Sequence, residues 1–439
     1  MRDSVFTFEK YEAQIEKGFI NFFYIIKHDQ EELKFTEKIT FAPVSGFDST
    51  VIKQTLDGLH LALGISYWKL FCPKEILTPK ILLSQDQANF WNTVYTKGLG
   101  EFFYKNKIDY RDLVNFPFDS ESRSQPVSVQ RQNRSLVGLG GGKDSIVTGE
   151  LLKAVGKNFD GFILNLVDIQ ENIAKIMGIP IVTMKRELDP LIFELNKRED
   201  VYNGHVPISS IYAFTGFLAA ILFDYKYIVV SNEKSANYGN VEYFGGEINH
   251  QWSKSEEFET LVRDYINNYI TPDITYFSLL RPYHEINITK IFSKYGKYFG
   301  TFTSCNRNFR INNPSSTLWC GECVKCAFVF CLLSAFIDRE KLLGIFGKDL
   351  YKSEELIPIF EELLGVGDFK PFDCVGTPKE VKLAFLLAYK KGGYDKTFIM
   401  KMFYDRFNSE FQTIEQTSSD LLKLGELDNI PPEFRYAVF

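Results

Sequence analysis

Ser135-Leu136-Val137-Gly138-Leu139-Gly140-Gly141-Gly142-Lys143-Asp144-Ser145-Ile146-Val147 is the stretch that decides the fold. Leu136 to Leu139 is apolar, the pattern of a strand buried on both faces. Gly140, Gly141 and Gly142 follow, and without Cβ atoms the backbone turns tightly and brings N–H groups against an anion. Val147, Leu151, Leu152 and Val155 then give a helix one buried face. The positive end of that helix points into the same turn. Lys143 adds a point charge for phosphate, and Asp144 is a candidate Mg²⁺ ligand or N-cap. Strand, glycine turn and helix in this order make a pyrophosphate cradle.

The cradle is not a Walker A loop, because Asp144 stands between Lys143 and Ser145, and its glycine spacing does not fit a dinucleotide fingerprint. It resembles the Ser-Gly-Gly-x-Asp-Ser PP-loop of the ATP pyrophosphatases, with Gly140 in place of the first serine. That resemblance implies cleavage of ATP to AMP and pyrophosphate, with adenylation of a substrate.

At 439 residues the chain suggests two or three domains with ample core. Its 45% apolar and 24% charged content is that of a soluble globular protein, and its 41 Phe and 23 Tyr are read as core. A net charge of −6 gives no field for nucleic acid, so no nucleic-acid partner is expected. No apolar run approaches the roughly 20 residues that span a bilayer, and Met1-Arg2-Asp3-Ser4 opens no signal peptide. No membrane partner is expected, and the clustered cysteines are unlike a secreted disulfide framework, so the expected compartment is the cytoplasm.

In order along the chain, Phe19–Ile26 and Leu33–Phe41 flank a polar turn and predict a hairpin. Helical patterns follow from Ser49 and over Gln85–Tyr104, and the polar segment Asp119–Pro126 reads as a linker. Beyond the cradle, strands are expected at Phe159–Val167, Ile179–Met184, Lys226–Val230 and Ile274–Leu280, with a long apolar helix over Ile208–Phe223. Strands alternating with helices predict an α/β fold, a doubly wound parallel sheet of PP-loop type. The expected organisation is an N-terminal α+β domain (1–125), a nucleotide-binding domain (131–335) and a helical C-terminal region (336–439). Helices of that last region are placed at Leu342–Phe346, Glu354–Leu364, Glu380–Tyr389, Thr397–Phe407 and Asp420–Leu424.

Polar clusters sit at the expected strand ends: Asn203-Gly204-His205-Val206-Pro207, Ser231-Asn232-Glu233-Lys234-Ser235, Asn249 to Ser255, and Arg281-Pro282-Tyr283-His284-Glu285. Ser231 and Asn232 join Gly140, Gly141, Gly142, Lys143, Asp144 and Ser145 as nucleotide-binding candidates. Downstream, Cys305 precedes Trp319-Cys320-Gly321-Glu322-Cys323-Val324-Lys325-Cys326, a spacing that suits a tetrahedral Cys₄ zinc site, with an iron–sulfur cluster as the rival. Cys374 is an isolated thiol in Lys370-Pro371-Phe372-Asp373-Cys374-Val375-Gly376.

A PP-loop followed by a cysteine knot resembles the 7-cyano-7-deazaguanine synthases, which suggests adenylation of a deazapurine or tRNA base as an alternative. A resemblance over nearly the whole length is carried by Leu59–Tyr67, Lys97–Phe102, the GGGKDS loop, NGHVP, SNEKSA, NHQWSKS, SLLRP, WCGECVKC and KPFDCVG. Together these resemble the MurL family, the ATP-dependent UDP-N-acetyl-α-D-muramoyl-L-alanyl-L-glutamate epimerases, with Val324 where the family pattern has Pro. The resemblance implies a small-molecule substrate, UDP-MurNAc-L-Ala-L-Glu, and inversion of its terminal glutamate through an acyl-adenylate. It implies ATP, Mg²⁺ and a structural zinc on Cys305, Cys320, Cys323 and Cys326. That chemistry needs a general base, for which His205, His250, Glu233 and Cys374 are the candidates. It also needs a cation for the substrate carboxylates, which Lys254, Arg281 or Arg310 would supply.

Overall fold

The computed structural model describes residues 4–122, 124–309, 317–367 and 370–438. Its strands are β1 (Ser4–Gln14), β2 (Phe19–His28), β3 (Glu31–Phe41), β4 (Glu75–Leu77), β5 (Ser135–Gly138), β6 (Phe159–Leu164), β7 (Ile181–Glu187), β8 (Tyr227–Val230), β9 (Val241–Tyr243), β10 (Gly246–Ile248) and β11 (Thr275–Ser278). The first helices are α1 (Ser49–Trp68), α2 (Gln85–Gly98), α3 (Gly100–Lys105), α4 (Lys143–Ala154), α5 (Asp168–Met177), α6 (Leu191–Leu195), α7 (Ile208–Leu222), α8 (Glu256–Tyr269) and α9 (Glu285–Phe292). The remainder are α10 (Val324–Ser334), α11 (Arg339–Phe346), α12 (Ile357–Leu363), α13 (Pro378–Lys391), α14 (Phe398–Phe407) and α15 (Phe411–Leu421).

One nine-stranded sheet runs β11-β8-β5-β6-β7-β3-β2-β1-β4. From β11 to β7 all neighbours are parallel; β7 meets β3 antiparallel, and β3-β2-β1 continues antiparallel. The protein is therefore a mixed α/β fold around a large, parallel-rich sheet. The strand order reverses at β5, with β6 and β7 on one side and β8 and β11 on the other, a switch point beyond whose carboxyl ends open α/β sheets bind their ligands.

Alternation along each strand feeds two cores. Leu136, Phe162, Ile228 and Tyr276 point to the side packed by α1, α2, α7 and α8. Their neighbours Val137, Ile163, Val229 and Phe277 point to the side packed by α4, α5, α9 and the C-terminal helices. Helix α7 is apolar on nearly every face because it lies between the sheet and α1. Each buried Leu or Phe of this kind contributes about 1.5–3 kcal/mol.

The antiparallel half is joined to the parallel half at β3 and β7, where Ile39 faces Arg186 and Phe41 faces Met184. Glu37 and Arg186 form a buried ion pair there, with Arg186 Nε 2.5 Å from Glu37 Oε1 and Nη2 donating to Ser66 Oγ at 2.8 Å. The expected hairpin is β2–β3. The expected helix Gln85–Tyr104 is two helices broken at Leu99, and the last expected helix, Asp420–Leu424, overlaps only the end of α15. Strands β1 and β4, the β9–β10 hairpin and helix α8 were not anticipated. The mixed polarity of Ser4–Gln14 hides β1, which buries Phe6 and Phe8 on one face only. No helix among the described residues is long and apolar enough to cross a membrane.

Candidate active site

Strand β5 stops at Gly138, and Leu139 N still donates to Phe162 O at 2.9 Å. Gly141 then takes φ +91°, a conformation that costs an L side chain roughly 1–2 kcal/mol. A Cβ on Gly142 would stand 2.8 Å from Ser304 Oγ, and Thr303 N donates to Gly141 O at 3.1 Å. The segment leading into Cys305 thus braces the glycine turn. Thr148 Oγ1 and Ser231 Oγ, 2.8 Å apart, tie α4 to the end of β8, and Ser145 Oγ donates to Gly142 O at 3.1 Å.

Lys143 opens α4 with only 2% of its surface exposed, and its ammonium contacts Asp144 and Glu285. Burial alone would lower it, but those two carboxylates outweigh burial and hold it charged above the usual lysine range. The switch point therefore carries a fixed cation at the start of a helix, with two carboxylates beside it. Such a group can hold a nucleotide's phosphates and the Mg²⁺ that accompanies them.

A second constellation forms where five separate stretches converge. Cys374, from the loop before α13, has its sulfur 3.3 Å from Lys254 Nζ and 3.7 Å from His250 Nε2. His250 Nδ1 contacts Glu101 on α3, and His205 Nδ1 lies 3.4 Å from the same carboxylate oxygen. The two imidazole rings stand 4.6 Å apart. Lys325 Nζ donates to Cys374 O. Asn240 straps the group together: its Oδ1 accepts from His250 N at 2.8 Å, while its Nδ2 donates to Pro371 O at 2.8 Å and Lys370 O at 3.2 Å.

The electrostatics separate these groups. Burial opposes the Cys374 thiolate, yet the Lys254 ammonium and His250 bring its pKa down to about 6. Burial works against the His250 imidazolium, but its bonds to Cys374 and Glu101 raise it to about 9. His205, buried beside His250, is lowered to about 3 and stays neutral. Burial pushes against the charged form of Glu101, but the His250 hydrogen bond keeps it ionised down to about 2. At neutral pH this is a thiolate–imidazolium–carboxylate chain with a lysine against the sulfur, an arrangement suited to removing a proton from carbon. The carboxylate and both imidazoles bring ligand atoms within 4.8 Å of one another, a group that could also hold a metal ion.

The other sequence candidates divide. Glu233 is buried, and its charge, after that of Cys374, favours the charged form of Lys254. Asn232 is buried at the end of β8, where its carbonyl accepts from Ser278 Oγ at 2.5 Å. Arg281 is committed to Glu259 at 2.8 Å and to the carbonyls of Glu233 and Lys254, each at 2.8 Å. Arg310 lies outside the described residues. Glu101, Glu285, Lys325 and Lys370 escaped the sequence reading. Each is a charged residue in an ordinary helix or loop pattern, marked only by lying in or beside a quoted run.

Cys305, Cys320, Cys323 and Cys326 bring their sulfurs within 4.8 Å of one another. Separations of 4.0 Å (305–323), 3.7 Å (320–326) and 3.5 Å (323–326) approach the edge of about 3.8 Å that a tetrahedron with metal–sulfur bonds of about 2.3 Å requires. Four thiols so placed could hold a metal ion such as zinc.

Comparison with known proteins covers almost the entire chain. A family model described as the MurL N-terminal domain matches residues 1–279, and one described as the MurL C-terminal domain matches residues 301–418. A protein of Xanthomonas oryzae pv. oryzae is 32% identical over 432 residues, 98% of this chain and 95% of its own length. One of a Micromonospora species is 33% identical over 444 residues, covering 100% and 98%, and one of Salinispora tropica 34% over 398 residues, covering 90% and 86%. All three carry the name UDP-N-acetyl-alpha-D-muramoyl-L-alanyl-L-glutamate epimerase.

Proposed function

The chain belongs to the MurL family, and from that premise we propose that it inverts the terminal L-glutamyl residue of UDP-MurNAc-L-Ala-L-Glu at the expense of ATP, through an acyl-adenylate. The observation that carries the proposal is the Cys374 sulfur, set 3.3 Å from Lys254 Nζ and 3.7 Å from His250 Nε2.

The chemistry follows from one difficulty. The α-proton of a free glutamate resists removal because the carbanion would sit beside a carboxylate. Attack of an α-carboxylate oxygen on the α-phosphorus of ATP, with loss of pyrophosphate, removes that charge and makes the carbonyl an electron sink. The glycine turn, the α4 N-terminus and Lys143 hold the phosphates and stabilise the leaving pyrophosphate; Asp144 is suited to the accompanying Mg²⁺. The Cys374 thiolate then takes the α-proton, leaving a thiol and an enolate. Glu233 is the candidate for returning a proton to the opposite face, since His205 stays neutral and has none to give. Water attacks the acyl carbonyl, AMP leaves, and the carboxylate is restored with the α-carbon inverted.

In this reading the strands from β11 to β7 with their helices form a doubly wound domain of PP-loop type (131–335), flanked by an N-terminal α+β domain (1–125) and a helical region (336–439). The Cys₄ knot holds zinc and fixes the Thr303–Ser304 brace against the cradle. The test is incubation with ATP, Mg²⁺ and UDP-MurNAc-L-Ala-L-Glu in D₂O. Pyrophosphate, AMP and D-glutamate carrying deuterium at the α-carbon are expected. Pyrophosphate without deuterium incorporation would refute proton abstraction from an adenylate.

A further inference from the structure

The Lys370 ammonium has no hydrogen-bond partner among the described residues. Lys370 opens the loop that carries Cys374, and its side chain is 5% exposed. The Tyr238 ring lies below it, with its centre 5.7 Å from Nζ. Its backbone is fixed on both sides by Asn240, the same residue that holds the His250 loop, so the ammonium is positioned rather than adrift.

Buried ammonium groups are costly unless paired. Burial pulls Lys370 down, and the opposing charges that face it are Glu233, Glu380, Cys374 and Glu285, none of them in contact. The other cations of the site have partners among the described residues: Lys254 lies against the Cys374 sulfur, Lys143 between Asp144 and Glu285 at the cradle, and Arg281 against Glu259, while Lys325 Nζ donates to Cys374 O. The group left over is an ammonium beside the proposed base, awaiting an anion.

The substrate offers three anions. The α-carboxylate loses its charge on adenylation, and the diphosphate of UDP is separated from the reacting carbon by a sugar, a lactyl group and an alanyl residue. The adenylate phosphate belongs to the glycine turn and Lys143, which leaves the γ-carboxylate of the terminal glutamate, charged throughout and three carbon–carbon bonds from the α-carbon. Building on the proposed function, we infer that the Lys370 ammonium binds the γ-carboxylate of the terminal glutamyl residue and is the residue that selects glutamate over glutamine. Its pairing with that carboxylate also fixes the α-carbon relative to Cys374.

The experiment compares wild type with Lys370→Met in the full-length, metal-loaded protein. It measures pyrophosphate release at saturating ATP on UDP-MurNAc-L-Ala-L-Glu and on the L-Gln analogue, which differs only in a neutral γ-amide. Wild type is expected to favour Glu by about 100-fold or more in kcat/KM, as expected for a buried charge pair. Lys370→Met is expected to raise KM for the Glu substrate by about 100-fold while kcat changes only a few-fold, and to leave the Gln analogue within about threefold of wild type. The variant should melt no lower than wild type, since it removes an unpaired buried charge. If it fails to fold, Lys370→Gln carries the same expectations. A variant that keeps the wild-type Glu/Gln ratio overturns the inference alone. Wild type that releases no pyrophosphate with either substrate overturns the functional reading, and this inference with it.

Discussion

His250 faces the Cys374 sulfur with Nε2 at 3.7 Å while its other ring nitrogen is held by Glu101. These residues are 124 positions apart in sequence, and Asn240 is what brings their loops together. The ring is oriented from behind by a carboxylate, and the sulfur is charged from the front by Lys254. Neither histidine nor cysteine would be set up for proton transfer from carbon by its own loop.

If Cys374 takes the α-proton, its removal should separate the two halves of the reaction. Cys374→Ala is expected to retain ATP-dependent pyrophosphate release, because Lys143 and the glycine turn are untouched. Epimerisation and solvent deuterium incorporation should fall by on the order of 10³-fold or more, the scale of a lost general base. Chiral analysis of hydrolysed product with parallel pyrophosphate assay reads both. Full deuterium incorporation in the alanine variant would move the base to Glu233 or His205.

The same pair sets a pH profile. The thiolate forms as pH rises through about 6, and the imidazolium that partners it is lost as pH rises through about 9. Inversion should therefore rise across the first value, reach a plateau, and fall across the second, with both limbs belonging to the coupled pair. His205, lowered to about 3, contributes no limb in this range. Lys254→Met removes the main charge favouring the thiolate and should shift the acid limb upward, toward the ordinary thiol value. An unmoved acid limb in that variant would detach the profile from Cys374.

The glycine turn between strand and helix and the cysteine cluster were legible because their patterns are local. Gly140–Ser145 and Cys320–Cys326 each place several donors within one or two turns of chain, so spacing alone exposes them. The parallel strands were legible for a similar reason, since burial on both faces leaves uninterrupted apolar runs such as Tyr227–Val230. Strand β1 was not, because its outer half is polar and only Phe6 and Phe8 are buried, whereas helix α8 was missed although Phe258, Val262, Tyr265 and Ile266 fall at helical spacing behind the Ser255 cap. Glu101 and Lys370 were invisible for a different reason. What distinguishes them from surface charges is burial supplied by residues more than a hundred positions away, which no local pattern records.

The cysteine knot makes a prediction about both content and effect. Purified protein should carry about one zinc per chain and no visible chromophore, whereas an iron–sulfur cluster would colour it. Cys320→Ser should lose the metal and lower the melting temperature. Because Thr303 N bonds Gly141 O just upstream of Cys305, it should also raise KM for ATP. Elemental analysis, visible absorption and a thermal melt decide this. A zinc-free variant with unaltered ATP kinetics would uncouple the knot from the cradle.

The seam between β3 and β7 tests the single sheet. Glu37 is fully buried, and Arg186 crosses to it from the neighbouring strand while also donating to Ser66 of α1. Removing one member of such a pair leaves the other charge buried and alone, which costs about 3–5 kcal/mol. Arg186→Met should accordingly destabilise the protein by that amount in urea unfolding. Glu37→Gln with Arg186→Met, which leaves no buried charge at the seam, should recover much of the loss. Equal destabilisation by the single and double variants would mean that the seam depends on packing rather than on this pair.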